Sequence, residues 1–490
     1  MKKRNLDPNH QKLINQRDLQ NDKPEEACGV FAVYAPKEDV SRLAYFGLHA
    51  LQHRGQESAG IAVGDGKSIF VVKDMGLVPQ VFDERSLAGL QGHIALGHVR
   101  YSTTGSTRWE NAQPVHKTFD EGTLALAHNG NLVNSKHLKE MLQRNGSFFN
   151  STSDTEVIAD LIASFVGDGS VEKAVVQTMN LLEGAFAVAM ITEKALYAFR
   201  DAQGLRPMCI GKLKNGSYVI SSETCGLDII GAKFVDEVKP GELVKVSKKG
   251  LSRRQVLEPK PSLCVFEFIY FARPDSNLLD KNLYAARKKM GVLLAKEAPV
   301  KADLVIGVPD SGVPAAIGFA EESGLPYGEG LIKNRYIGRT FIQPSQTIRE
   351  VGIKMKLNPL ASVINGKRII VVDDSIVRGN TTKKIIGLLR DAGAKEIHVR
   401  ISSPPYKYPC FYGIDTASID NLIASENSIE EIAKKIKAET LNYLSLDSLI
   451  KSTGSSKNKF CHACLTGDYP VKIPSELRVS KLMLEKSPSN

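Results

Sequence analysis

The stretch Arg368-Ile369-Ile370-Val371-Val372-Asp373-Asp374-Ser375-Ile376-Val377-Arg378-Gly379-Asn380-Thr381-Thr382 sets the architecture of the second half of the chain. Its continuous apolar run is the mark of a parallel strand buried on both faces. The run delivers two adjacent acids at its C-terminal end, and a short loop then leads into a helical pattern. Residues 304–308 form a second such run, ending in Val308-Pro309-Asp310-Ser311-Gly312 and again followed by a helical pattern. Strand, turn and helix in this order predict a doubly wound parallel sheet after Pro261. Backbone N–H groups of such a loop and helix start suit a phosphate. The two acids suit sugar hydroxyls and a hard cation such as Mg²⁺. An Asp-Asp turn capping a helix would account for the acids alone, but not for the whole string.

Upstream the pattern differs. Between residues 28 and 256, short Gly-containing strands at 29–34, 60–63 and 94–99 are interrupted by helical stretches at 155–165 and 171–182. Strands and helices do not alternate strictly, which predicts an α+β layered fold with mostly antiparallel sheets. Residues 241–258 read as a last hairpin before the join Pro259-Lys260-Pro261. A chain of 490 residues exceeds one ordinary core, so two or three domains are expected.

The bulk composition excludes several classes. No apolar run approaches the roughly 20 residues that span a bilayer, so no membrane partner is expected. The net charge of +10 invites a nucleic-acid reading. There is, however, no dense Lys/Arg block and no interleaving of aromatic with basic residues, so nucleic acid is set aside for an anionic small molecule. The segment before Cys28 lacks a secretory apolar stretch, carries too many acids for a transit peptide and has no serine. Seven cysteines without a secretion signal argue for a reducing, cytoplasmic setting in which some thiols do chemistry or hold metal.

Cys28 opens the strand Cys28-Gly29-Val30-Phe31-Ala32-Val33. A cysteine there is more often a small buried hydrophobe than a nucleophile. Three clusters change that reading: Leu51-Gln52-His53-Arg54-Gly55-Gln56-Glu57-Ser58-Ala59-Gly60, Gly97-His98-Val99-Arg100-Tyr101-Ser102-Thr103 and Ala127-His128-Asn129-Gly130. With Ser153-Asp154-Thr155-Glu156 they resemble, in order and spacing, the class II glutamine amidotransferases, an N-terminal-nucleophile hydrolase family. The resemblance implies that Cys28 is the nucleophile and that its own α-amino group, titrating near 7.7–8.0, is the general base. It therefore implies cleavage between Ala27 and Cys28. Arg100 would pair with the glutamine α-carboxylate, and Asp154 would hold its α-ammonium. The Asn129 side chain and the Gly130 N–H would form the oxyanion hole. Asn129-Gly130 also reads as a hairpin turn, and a turn would expose that N–H. His53 and His98 read as structural.

Residues 368–382 resemble the phosphoribosylpyrophosphate signature of type I phosphoribosyltransferases. The resemblance implies that Asp373 and Asp374, with Ser311, hold one Mg²⁺ per subunit, the two acids also meeting the ribose hydroxyls. Arg378, Gly379, Asn380, Thr381 and Thr382 would wrap the 5′-phosphate. The basic stretch 333–343, with Arg339, and residues 354–358 would form a lid over departing pyrophosphate.

Cys461-His462-Ala463-Cys464 alone is ambiguous between zinc, iron–sulfur and redox roles. With Cys264 at the join and Cys410 after a Pro/Tyr-rich run, it resembles the four [4Fe-4S] ligands of the iron–sulfur, propeptide-bearing branch of the amidophosphoribosyltransferases. The order of the two halves resembles that family from Cys28 to about Tyr469. It implies four parts: a propeptide at 1–27, a glutamine amidotransferase domain at 28–258, a phosphoribosyltransferase domain at 259–409, and a helical tail with cluster ligands at 410–490. The implied reaction moves ammonia from glutamine to phosphoribosylpyrophosphate, giving 5-phosphoribosylamine, pyrophosphate and glutamate at the start of purine synthesis. Feedback inhibition by purine nucleotides and a homotetramer are the family expectations. Cys209 and Cys225 remain as core thiols. A sugar-phosphate aminotransferase would have no reason to keep 368–382, and a phosphoribosylpyrophosphate sensor would not need Cys28, Arg100, Asn129 and Asp154 together.

Overall fold

The computed structural model describes residues 28–101, 107–120, 122–167, 170–334, 357–414 and 422–474. The first half builds two antiparallel sheets. Strands β1 (Gly29–Tyr34), β2 (Ser58–Gly64), β3 (Ile69–Met75) and β4 (Ile94–Arg100) begin one. Strands β5 (Val115–Phe119), β6 (Gly122–Leu132), β7 (Gly184–Thr192) and β8 (Leu196–Arg200) begin the other. The chain then returns to the first with β9 (Cys209–Lys212), β10 (Tyr218–Ser221) and β11 (Lys233–Glu237), and closes the second with the hairpin β12 (Glu242–Ser247) and β13 (Gly250–Gln255). The spatial orders are β11-β9-β10-β1-β4-β2-β3 and β13-β12-β8-β7-β6-β5.

Period-two alternation explains how the layers stack. Val30 and Ala32 of β1 share one cluster with Ala125 and Ala127 of β6 and Ala187 and Ala189 of β7, so small side chains fill the space between the sheets. Phe31 and Val33 point the other way, onto Ala44 and Leu48 of the helix Val40–Ala50. Leu124 and Leu126 of β6 meet Val157, Leu161 and Ala174 from the helices Asp154–Phe165 and Val171–Leu181. Helix, sheet, sheet and helix make four layers. Each fully buried ring such as Phe31 contributes about 1.5–3 kcal/mol.

The second half carries a parallel sheet in the order Leu304–Gly307, Arg368–Asp373, Glu396–Ile401, Thr440–Tyr443. Ile370 and Val372 face one core cluster while Ile369 and Val371 face another, as expected of a strand covered on both sides. The last of these strands comes from beyond residue 410. The expected boundary at 409/410 therefore does not separate a tail from the sheet. A second late segment also returns: Phe460–Cys461 pairs in parallel with Leu263–Cys264, with Cys264 opposite Cys461. The ring of Phe460 packs edge-on against Phe268, 5.4 Å between centroids. Among the described residues no helix is long and apolar enough to cross a membrane.

Candidate functional site

Cys28 is buried immediately before β1, and its Sγ lies 3.4 Å from the carbonyl oxygen of Tyr101. Burial pushes its thiol up to about 12, against the pull of the Arg100 guanidinium, while Glu57 and Asp154 add to the rise. Strand β4 ends at Arg100, which is 2% exposed and faces the Glu57 carboxylate at 3.7 Å. Asp154 opens the helix Asp154–Phe165, whose N-cap Ser153 accepts from the Thr155 N–H. Burial raises the Asp154 carboxyl, but His128 at 3.5 Å, the N–H of Leu132 at 3.0 Å and Arg100 outweigh it and hold it below its ordinary range. The helix N-terminus suits the same negative charge. The fold thus brings Cys28, Arg100 and Asp154 to one place.

Asn129 and Gly130 do not form a hairpin turn. They lie inside β6, opposite Ala187 and Phe186 of β7. The glycine is needed for another reason. Its φ is +144°, and a Cβ there would sit 2.1 Å from the Ala185 carbonyl oxygen. Alternate N–H groups of a strand share an edge, so that of Gly130 belongs to the edge where Gln113 takes the N–H of His128 and Asp154 takes that of Leu132. Asn129 is fully buried, and neither its Oδ1 nor its Nδ2 has a hydrogen-bond partner among the described residues. An amide held this way without partners costs about 1–3 kcal/mol and is poised for a ligand. His98 is buried with burial pushing it down to about 3, so its ring is neutral.

Beneath Cys28 lies a charge network that motif spacing did not reveal. Arg54 donates through Nε to the Cys28 carbonyl oxygen at 3.2 Å and through its Nη groups to Glu223 and Glu267 at 2.5–3.0 Å. His53 Nε2 meets Glu223 at 2.8 Å, and Ser276 donates to the same carboxylate at 2.7 Å. Glu267 also faces Arg206 at 3.5 Å. Removing one partner strands the others, so Glu267→Gln is expected to lower stability by about 3–5 kcal/mol, read by chemical denaturation. A loss under about 1 kcal/mol would show that the remaining charges compensate one another.

In the parallel sheet, the strand Arg368–Asp373 delivers Asp373 and Asp374, both buried. The Asp374 N–H donates to Asp373 Oδ1 at 2.9 Å, and Ser375 Oγ donates to Asp374 Oδ1 at 2.6 Å. The loop carrying Ser311 packs against them: Gly312 sits so close that a Cβ would lie 2.5 Å from the Val372 carbonyl oxygen. Gly379 precedes the helix Asn380–Asp391, which carries Thr381 and Thr382 in its first turn. Arg378 Nε and Nη1 are buried without partners among the described residues. Arg339, most of the expected lid and residues 1–27 lie outside the described residues.

The four cysteines Cys264, Cys410, Cys461 and Cys464 are free thiols. Burial pushes Cys264 up to about 12, and a charge on Cys410 adds to the rise. Cys461 and Cys464 stand well above their ordinary value for the same two reasons, with Cys264 and Cys410 acting on both. Cys209 and Cys225 are buried in the core beside β1.

Residues 98–228 match the model of a glutamine amidotransferase domain, and residues 276–402 match that of a phosphoribosyl transferase domain. The chain is 55% identical to the amidophosphoribosyltransferase of Synechococcus elongatus over 95% of each chain. It is 48% identical to that of Bacillus subtilis, over 91% of this chain and 95% of the relative. The solved structure of the B. subtilis glutamine phosphoribosylpyrophosphate amidotransferase complexed with ADP and GMP superposes with a TM-score of 0.86 at 47% identity, covering 92% of this chain and 98% of that one.

Proposed function

The chain belongs to the amidophosphoribosyltransferase family, and from that premise we propose which residues carry each half of the reaction. The enzyme takes ammonia from glutamine and transfers it to phosphoribosylpyrophosphate, giving 5-phosphoribosylamine, pyrophosphate and glutamate, a step of purine biosynthesis. The observation that carries the residue assignment is the convergence of Arg100 and Asp154 on the buried Cys28 thiol, to which Asn129 adds a buried amide without a hydrogen-bond partner among the described residues.

Cys28 Sγ attacks the carboxamide carbon of glutamine, and the thiol proton passes to the α-amino group of the same residue. A thiol held at about 12 needs such a base. Arg100 holds the substrate α-carboxylate and Asp154 its α-ammonium. The oxyanion of the tetrahedral intermediate meets Asn129 Nδ2 and the Gly130 N–H. Collapse returns the proton to the departing ammonia and leaves a thioester that water cleaves to glutamate. Because a peptide nitrogen cannot serve as the base, residues 1–27 are removed first. The bond from Arg54 to the Cys28 carbonyl keeps the new terminus in place.

At the second site Arg378 and the start of the helix Asn380–Asp391 hold the 5′-phosphate, which would partner the Nε and Nη1 that have none among the described residues. Asp373 and Asp374 bind the ribose hydroxyls. Two carboxylates plus substrate phosphates are an ordinary Mg²⁺ environment, so these residues fit the ion together with Ser311, and it would act as a Lewis acid on departing pyrophosphate. Arg339 is proposed for the lid over that pyrophosphate.

The four cysteines fit a [4Fe-4S] cluster. The four thiols lie in one buried neighbourhood, close enough for their charges to act on one another, with Cys264 opposite Cys461 across two short strands. The cluster would staple the end of the chain to the join. Purine nucleotides are proposed as feedback inhibitors of a homotetramer, the former supported by the B. subtilis complex with ADP and GMP.

One preparation tests the two maturation steps. Intact mass of the active enzyme should show a chain beginning at Cys28, and iron and acid-labile sulfide should each approach about four per chain. An active chain that keeps residues 1–27, or holds no iron, would overturn the corresponding assignment.

A further inference from the structure

The segment that starts at Cys410 does not run free between the strands Glu396–Ile401 and Thr440–Tyr443. It lies directly on the strand that carries the oxyanion donors. Asn131 Nδ2 donates to the Phe411 carbonyl oxygen at 2.9 Å. Arg206 donates through Nε and Nη2 to the Tyr412 carbonyl oxygen at 3.3 and 3.1 Å. Gly413 adopts φ +101°, and a Cβ built on it would meet the carbonyl carbon and oxygen of Gly130 at 3.0 Å and Arg206 Nη2 at 3.2 Å. Tyr412 packs with Val133 and Ala185 of the first domain and with Cys461 and Ala463 of the last turn of chain. The Tyr412 hydroxyl in turn donates to the Val471 carbonyl oxygen at 2.5 Å.

We propose that Gly413 and the Asn131–Phe411 bond are positioning elements for the glutaminase reaction: the strap 410–414 backs the peptide that joins Gly130 to Asn131 and, by holding the Gly130 Cα, limits the swing of the preceding peptide, whose N–H faces the oxyanion. The inference rests on the reading of Gly130 as an oxyanion donor. Its φ of +144° is one that a residue with a side chain rarely adopts, so contacts made on the strand from outside add to the β7 pairing in holding Gly130 there. Catalytic donors work only when held within about 0.5 Å of the productive position. A Cβ at 413 would crowd the Gly130 carbonyl, so one of the two backbones has to shift by a few tenths of an ångström, because the contact is with backbone and not with a flexible side-chain end.

The test uses the full enzyme, assayed with glutamine and with ammonia. Gly413→Ala is expected to lower the glutamine-dependent kcat about 10- to 100-fold, with KM for glutamine within about threefold and the ammonia-dependent rate within about twofold. A generally loosened fold would lower both rates together. An unchanged kcat, or an equal fall with both donors, overturns the proposal. Should Gly413→Ala fail to fold, Asn131→Ala cuts only the side-chain bond and is expected to lower the same kcat with KM held; an unchanged kcat there also overturns it. Asn129→Ala runs alongside to separate the two readings. If Asn129→Ala loses kcat and the strap variants do not, the strap has no such role. If none of them loses kcat, the oxyanion assignment itself falls.

Discussion

Cys28→Ala is expected to abolish the glutamine-driven reaction, by at least about 10⁴-fold in kcat, because the nucleophile and its whole covalent route disappear together. The ammonia-driven reaction should stay within about twofold of wild type, since free ammonia bypasses the first site. The geometry supports that separation. Cys28 belongs to the antiparallel half, packed among β1 and the ends of β4 and β6, whereas Asp373 and Asp374 end a strand of the parallel sheet. Pyrophosphate release with each nitrogen donor measures both rates. Loss of both rates with the fold intact would refute two separate sites.

Asp374→Asn should behave in the opposite way, lowering the rate with either donor by about 10³-fold. A carboxylate that binds ribose hydroxyls and a hard cation contributes several kcal/mol to the transition state, and each 1.36 kcal/mol is tenfold in rate. Asparagine keeps an oxygen that can accept from Ser375, so the local turn survives the change. The Mg²⁺ concentration for half-maximal activity should rise as well. A variant that loses only its glutamine-driven rate would place Asp374 outside the transfer site.

Local chemistry made part of this molecule legible. The run 369–372 is buried on both faces, and an uninterrupted apolar stretch can hardly mean anything else before an acid pair and a glycine. Cys28, Arg100 and Asp154 were found as members of ordered motifs, and the fold gathers them around one thiol. Asn129-Gly130 reads as an oxyanion pair by resemblance and as a hairpin turn by composition, because that pair favours turns in isolation. Pairing with β7 overrides the preference, and the glycine answers to the Ala185 carbonyl, which sequence spacing does not reveal. Glu57 and His128 stood inside quoted motifs without a role, since nothing in their spacing says that they face Arg100 and Asp154. Glu223 and Glu267 lie more than 160 residues from Arg54 and carry no local signal at all. The strand Thr440–Tyr443 is only four residues long and half-buried, and it becomes a strand by lying alongside Glu396–Ile401.

The pairing of Leu263–Cys264 with Phe460–Cys461 ties the middle of the chain to a stretch about 200 residues later. A ribosome adding 5–20 residues per second needs roughly 10–40 s to bridge that gap. Throughout that interval the nascent chain presents Leu263 and the face of Phe268 without the Phe460 ring that finally covers them. The antiparallel half can mature co-translationally, but the join between the halves is sealed only once residue 460 has emerged, which leaves an oily seam open to holdase chaperones until then.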